Sequence, residues 1–393
     1  MKQASVPRGV WVLGFVSMLM DVSSEMIHSL LPLYLTVGLG ASALAVGLIE
    51  GIAEAAALVV KVFSGALSDR LRQRKWISAA GYGLAAFSKP LFAIAQGPWL
   101  VFGARFMDRI GKGIRGAPRD ALIADITPAS VRGAAYGLRQ SLDTVGAFAG
   151  PLIAMALMLA WNNDFRAVFW VAVIPAILSF LLIVFLVKEP EKKTGDRPPV
   201  PPAGTSGLSP VSWRRLGAAF WFVTAAGAAL TLARFSEAFL ILRAENVGVA
   251  IAYTPLVLVA MNVVYSLVAF PAGRLADRMS RAKLLAIGVA FLIVGDIALA
   301  LASGIAMLGV GVILWGLHMG LTQGLLAAMV AESAPPDLRG TAFGIFNLAS
   351  CVALLAASAI AGALWHYIGP ATTFWTGAAL AAAALALTRF ARS

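Results

Sequence analysis

Gly65-Ala-Leu-Ser-Asp69-Arg70 ends one apolar stretch of the chain, and Gly273-Arg-Leu-Ala-Asp277-Arg278 ends another, 208 residues later. A second pair keeps nearly the same spacing. Residues 124–137 read ADITPASVRGAAYG and residues 331–344 read AESAPPDLRGTAFG, so that Asp125, Pro128, Arg132 and Gly133 recur as Glu332, Pro335, Arg339 and Gly340, 207 apart. A looser third pair sets Ser24-Glu25 against Ser236-Glu237, 212 apart. One nearly constant offset makes the chain an internal duplication, and a duplicated membrane protein places its working site between the repeats.

Composition says which solvent the duplicated unit sees. Of 393 residues, 60% are hydrophobic and 13% charged, with a mean hydropathy of +0.85, outside the range of water-soluble domains. A spanning helix takes about 20 mostly apolar residues, so the length accommodates on the order of a dozen spans and no sizeable soluble domain. The apolar runs place them at 9–36, 42–68, 75–96, 98–125, 132–160 and 166–187, then at 214–243, 249–276, 281–303, 305–331, 339–364 and 371–390. The expected fold is an all-α polytopic membrane protein, with 12 transmembrane helices in two pseudo-symmetric six-helix bundles, 1–187 and 214–393. Residues 188–213, polar and rich in Pro, Gly and Ser, read as a flexible cytoplasmic linker. Lys2 and Arg8 precede an apolar stretch as in a signal peptide, but Asp21 and Glu25 interrupt it, so it reads as a retained first helix.

The net charge of +12 points to topology rather than to nucleic acid. Arg70, Arg72, Arg74 and Lys75 share one connection, Lys188, Lys192, Lys193 and Arg197 the linker, and Arg278, Arg281 and Lys283 a third, whereas the alternate connections near 37–41, 97 and 304 carry no Lys or Arg. The positive-inside rule then puts both termini and the linker in the cytoplasm, with a bacterial inner membrane as the expected location. Cys351 is the single cysteine, which excludes an intrachain disulfide and a cysteine-only metal cluster, and His28, His318 and His366 are the only histidines.

This layout resembles the major facilitator superfamily of secondary transporters over essentially the whole chain. Gly65-x-Leu67-x-Asp69-Arg70-x-x-x-Arg74-Lys75 is similar to the family's motif between the second and third helices, with Arg72 where glycine is usual and Gln73 where a base is usual. The resemblance implies a conformational gate at Gly65, Asp69, Arg70 and Arg74, and at their counterparts Gly273, Asp277 and Arg278. Arg105-Phe-Met-Asp-Arg-Ile-Gly111-Lys-Gly113 resembles the fourth-helix motif, whose Arg is linked in the family to proton coupling. Gly146-x-x-x-Gly150-Pro151 resembles the fifth-helix motif of the drug/proton antiporter branch, and its small residues allow close helix packing.

Charges inside spans are the candidate working residues, because each costs at least about 3 kcal/mol at the bilayer centre unless paired or hydrated. In the first helix Asp21, Glu25 and His28 share one face. Burial favours the neutral form of a carboxylate and brings proton exchange toward physiological pH, so Asp21 and Glu25, with Arg105, are the expected coupling residues. Pairing with Arg105, Arg139 or Lys61 is the competing role for these acids. A metal site on Asp21, Glu25 and His28 would have only three ligands from one helix, so neither metal nor cofactor is expected. Candidate substrate residues are His28, Glu50, Glu54, Lys61, Lys89, Arg109, Arg139, Asp143, Arg234 and Glu237; Asp108 and Lys112, four apart, are expected to pair along the fourth helix.

The sequence has no HExxH, GxSxG or phosphate-cradling Gly-rich loop, so neither an enzyme nor an ATP-driven pump is expected. Two matched halves suit alternating access rather than a channel. The expected activity is export of a small organic or drug-like molecule by proton antiport from a monomer in the lipid bilayer. The rival is transport of anionic solutes such as organic acids, phosphorylated compounds or metal chelates, resting on Lys61, Lys89, Arg105, Arg109, Arg139 and Arg234.

Overall fold

A computed structural model describes residues 6–71, 73–189, 215–276, 279–335 and 338–390, helical throughout with no strand among the described residues. The helices are α1 (Arg8–His28), α2 (Ala43–Leu71), α3 (Arg74–Ile94), α4 (Pro98–Ile126), α5 (Arg132–Ala160) and α6 (Phe165–Leu186) in the first half. The second half holds α7 (Ala218–Ala233), α8 (Pro255–Ala276), α9 (Arg281–Leu301), α10 (Ile305–Ser333), α11 (Arg339–Tyr367) and α12 (Pro370–Phe390). Most of the linker and the motif residues Asp277 and Arg278 lie outside the described residues.

Local chemistry sets several boundaries. Pro98 occupies the first turn of α4, where its missing N–H costs nothing. The Asp164 carboxylate caps α6 by accepting from the N–H groups of Arg166 and Ala167, and Ser280 caps α9. Pro32 cannot donate to the carbonyl of His28, so α1 ends there and resumes as a short turn, Leu31–Leu33, and a π-helical turn, Tyr34–Gly38. The span at 214–243 is interrupted: α7 stops at Ala233 and helix returns at Ala238–Asn246. Neither Gly nor Pro marks this break. The Ser236 hydroxyl takes the Ala238 N–H at 3.3 Å, a local bond that competes with the helical ladder.

The same helix pairs form in both halves. α1 packs on α5 and α6, α2 on α4, and α3 on α4 and α6; correspondingly α7 packs on α11 and α12, α8 on α10, and α9 on α10 and α12. Across the halves α2 meets α11 and α5 meets α8. An ion pair repeats as well: Arg74 at the start of α3 reaches Asp125 at the end of α4 (2.7 Å), and Arg281 at the start of α9 reaches Glu332 at the end of α10.

The outer surface is apolar, with Phe63 69%, Phe185 74% and Leu267 70% exposed, as a lipid-facing surface requires. Among the described residues, ten segments are long and apolar enough to cross a membrane. α4 is not among them, because its charges break the apolar run, and its position between α2 and α3 explains how it is tolerated. A Cβ on Gly111 would lie 2.6 Å from the Gly81 carbonyl of α3, and one on Gly113 2.7 Å from the Ala57 carbonyl of α2. Glycine at both positions lets the charged helix pack directly against two neighbours.

Candidate functional site

A cavity of about 520 Å³ lies between α1, α2, α4, α5 and α8. It occupies the part of the helices nearer the α2–α3 and α4–α5 connections, and its walls carry Asp21 and Glu25 from α1, Glu54 and Lys61 from α2, Lys112, Arg115, Arg119 and Asp120 from α4, Arg139 and Asp143 from α5, and Asn262 and Tyr265 from α8. The opposite end is shut. There a Cβ on Gly47 would clash with the Ser358 carbonyl and one on Gly362 would lie 2.8 Å from the Ala43 carbonyl, so the start of α2 and the end of α11 touch backbone to backbone. Leu31–Leu33 packs against Ala238–Asn246 on the same side, in a core that includes the buried side chains of Tyr34, Phe169 and Phe239.

Gly146 and Gly150 set the α1 wall. A Cβ on Gly146 would be 2.7 Å from the Met18 carbonyl and 2.9 Å from Asp21 Cβ, and one on Gly150 2.7 Å from the Val22 carbonyl and 2.8 Å from Glu25 Cβ. The glycine motif therefore presses α5 onto the turns that carry the two acids. Pro151, buried inside α5, follows directly.

Behind the cavity runs a buried charge network. Arg105 donates from Nη2 to Glu50 Oε2 at 2.7 Å and lies 3.6 Å from Glu54 Oε1; Arg109 Nη1 is 3.1 Å from the same Glu54 oxygen. Asp108 Oδ1 accepts from Lys89 Nζ at 2.7 Å, its Oδ2 lies 3.4 Å from Arg109 Nε, and Lys89 also donates to Ser24 Oγ at 3.0 Å. His28 joins the two acids of neighbouring helices, with Nδ1 3.3 Å from Glu25 Oε2 and Nε2 3.8 Å from Glu50 Oε2. Glu50, Lys89, Arg105, Asp108 and Arg109 are all buried. Buried ions of this kind persist only when paired, so their first role is to fix α1 through α4 in register.

The pairing expected along α4 does not form. Asp108 turns to Lys89 on α3, and Lys112, one turn on, is exposed to the cavity. The close approach of α3 at Gly81 and Gly111 brings a cross-helix partner into reach. Nearer the cavity mouth, Arg139 pairs with Asp143 and with Asp120 (3.4 Å), while Arg119 pairs with Asp120 (3.0 Å) and donates to Ser17 Oγ at 2.6 Å.

Of the residues singled out by sequence, Asp21, Glu25, Glu54, Lys61, Arg139 and Asp143 line the cavity, whereas His28, Glu50, Lys89, Arg105, Arg109, Arg234 and Glu237 are outside its lining. Gly65 faces Ala117 of α4, Asp69 belongs to the last turn of α2, Arg70 is exposed, and Gly273 belongs to α8. Among the described residues no group of three His, Cys, Asp or Glu side chains could hold a metal ion. Lys112, which the sequence reading paired with Asp108, and Arg115 and Arg119, for which it favoured a structural role, also line the cavity, together with Asp120, which it passed over. The signal for the three cations was present, since positions 105, 108, 109, 112, 115, 116 and 119 follow the i+3/i+4 step of one helix face.

Comparison with known proteins places this architecture. The Major Facilitator Superfamily profile matches residues 13–244 and 218–393. An uncharacterized MFS-type transporter of Methanocaldococcus jannaschii is 30% identical over 385 residues, 95% of this chain and 92% of that protein. Multidrug resistance protein MdtH of Yersinia pestis is 30% identical over 162 residues, 41% of this chain and 39% of its own. Among solved structures, a bacterial homolog of the human lysosomal transporter Spinster, in an inward-facing and occupied conformation, superposes with a TM-score of 0.76 at 15% identity, covering 98% of this chain and 96% of its own. That likeness is one of fold.

Proposed function

The chain belongs to the Major Facilitator Superfamily and is a multi-pass membrane transporter rather than an enzyme; from that premise we propose that it exports small organic compounds across a bacterial inner membrane in exchange for protons. The observation that carries this reading is Asp21. It lines the cavity about two thirds of the way along α1, and among the described residues no cation lies within 4.0 Å of it, with Arg115, Lys112 and Arg119 acting on it from farther off. A carboxylate in that position can hold either a proton or a cationic group of the solute, which is what exchange requires. Glu25, one turn deeper on the same wall and in contact with His28, is the second carrier.

Three further features support the reading. The cavity volume falls within the roughly 300–1,000 Å³ that suits a drug-sized ligand. Access is one-sided, open toward the α2–α3 connection, which the positive-inside rule assigns to the cytoplasm. A multidrug resistance protein is among the relatives of part of the chain. Alternation would open the α2–α11 seam at Gly47 and Gly362 and close the mouth around Arg119, Asp120 and Arg139, with one monomer sufficient. Arg105, gripping Glu50 and Glu54, would transmit proton occupancy on α1 to α2 through His28.

The rival reading, a carrier of anionic solutes, loses most of its original support, because Lys89, Arg105, Arg109 and Arg139 are all neutralised by carboxylates. The test uses everted membrane vesicles acidified inside by respiration and a ΔpH-sensitive dye. A panel of cationic, zwitterionic and anionic organic compounds should include members that dissipate the gradient with the wild-type protein and not with Asp21→Asn. Dissipation by none of them, or equal dissipation by Asp21→Asn, would overturn proton exchange at this site.

A further inference from the structure

Resting on the transport reading above, we infer that the cavity has a dedicated subsite for an anionic group, formed by Lys61, Lys112 and Arg115, and that the transported compound is therefore a small zwitterion. The three cations line one side of the cavity, from α2 and α4. Among the described residues none of them has a carboxylate within 4.0 Å. Other charges on the lining are accounted for: Glu54 by Arg109, Glu25 by His28, and Asp120 and Asp143 by Arg119 and Arg139.

Position makes these three unusual. Lys112 stands at the middle of the 29-residue α4 and is directed to the cavity and not to Asp108 four residues away; Glu54, Glu25 and Asp21 act on it only from beyond salt-bridge distance, so its ammonium is not closed off by a direct pair. Lys61 lays its stem beside Gly116 of α4, with a Cβ built there 3.7 Å from Lys61 Cε. Arg115 is only 4% exposed, its guanidinium sits 5.0 Å from the Tyr82 ring, and its Nη1 is buried without a hydrogen-bond partner. That N–H is shielded in this conformation, and a small turn of the Arg115 side chain away from Tyr82 would offer it to a carboxylate, phosphate or sulfate oxygen in the cavity that the residue lines.

Charge on the facing wall completes the assignment. Asp21 has no ion pair within 4.0 Å among the described residues, and Arg115 and Lys112 are near enough to act on its charge, so a solute whose anionic group meets Lys61, Lys112 and Arg115 can place an ammonium on Asp21 where the proton otherwise resides. An anion alone would be repelled by ionised Asp21 and would bind best together with the proton, which is co-transport and not exchange. A zwitterion satisfies both walls and keeps the exchange stoichiometry.

The experiment is a thermal-stability titration of the purified full-length protein in a neutral maltoside detergent, at constant ionic strength set with chloride. The probes are 4-(aminomethyl)benzoate, benzoate and benzylamine. The account expects the zwitterion to raise Tm at the lowest concentration. Lys112→Gln and Arg115→Gln should each weaken the response to both carboxylates by about tenfold or more, while leaving benzylamine unchanged; Lys112→Arg should keep the wild-type response and shows that the position tolerates change. No shift beyond chloride with either carboxylate, or a carboxylate response that survives Lys112→Gln, overturns the subsite. A zwitterion no better than benzoate overturns the second half of the proposal. A lipid headgroup is the other source of the same anionic chemistry: phosphatidylglycerol that stabilises the protein through Lys112 and displaces benzoate assigns the cluster to lipid and overturns a soluble solute. Because no pH gradient is involved, failure here leaves proton exchange standing, and failure of proton exchange leaves the benzoate response intact.

Discussion

Removing the Asp108 carboxylate is the perturbation whose cost the structure specifies best. Asp108→Ala takes from Lys89, itself 1% exposed, its carboxylate partner at 2.7 Å and, among the described residues, leaves the ammonium with Ser24 Oγ alone. Arg109 at 3.4 Å loses a neighbour too, but keeps Glu54 at 3.1 Å, so the penalty falls mainly on Lys89. Breaking one side of a buried pair costs about 3–5 kcal/mol, because the other charge stays buried. With an unfolding entropy of about 2.1 cal/mol/K per residue, 4 kcal/mol over this chain corresponds to a fall in Tm of ~5 °C. The companion variant is Asp108→Ala with Lys89→Met, which removes both charges and keeps the length of the lysine stem. It should recover more than half of the loss, since an apolar replacement of a whole buried pair is close to neutral. The assay is thermal unfolding of purified protein in detergent, with the coupling taken from the double-mutant cycle. Additive losses in the double variant, or an unchanged Tm in Asp108→Ala, would refute the view that Lys89 and Asp108 form a mutually dependent structural pair.

Two other outcomes follow from close helix contacts. Gly150→Leu drives a side chain into the Val22 carbonyl, where even a Cβ would sit at 2.7 Å; transport should be lost, with a destabilisation of about 1–3 kcal/mol, and a normally active Gly150→Leu protein would disprove the α1–α5 packing. At the shut end, a Cβ on Gly51 lies 3.1 Å from Ser358 Cβ. Cysteines at 51 and 358, in a Cys351→Ser background, should therefore form a disulfide on mild oxidation after small shifts, arrest transport, and release it on reduction; oxidised protein that transports at full rate would show that α2 and α11 need not separate.

Much of the architecture is legible in the residues themselves. The offset near 207 recurs in space as the Arg74–Asp125 and Arg281–Glu332 pairs, and the glycines of the fifth-helix motif meet the backbone of α1. Proximity along one helix was the misleading signal. Spacing of four makes Asp108 and Lys112 neighbours, but it is silent about Lys89, which a glycine-mediated crossing of α3 and α4 brings closer. The break in α7 was hidden for a related reason, since Ala233 to Ala238 contains neither Gly nor Pro and the Ser236 hydroxyl bond to the Ala238 N–H at the break is a local contact that spacing does not announce. The cavity face of α4 was readable as a helical stripe. Which of its cations remain unpaired depends on cross-helix distances, and those exist only in the folded structure.

The central claim, exchange of solute against protons at Asp21, is tested most directly by reconstituting wild type and Asp21→Asn into proteoliposomes and measuring two processes with one labelled substrate: accumulation driven by an imposed pH gradient, and counterflow without a gradient. The account predicts that wild type performs both, and that Asp21→Asn retains counterflow while losing gradient-driven accumulation. Accumulation by Asp21→Asn at the wild-type level would contradict it.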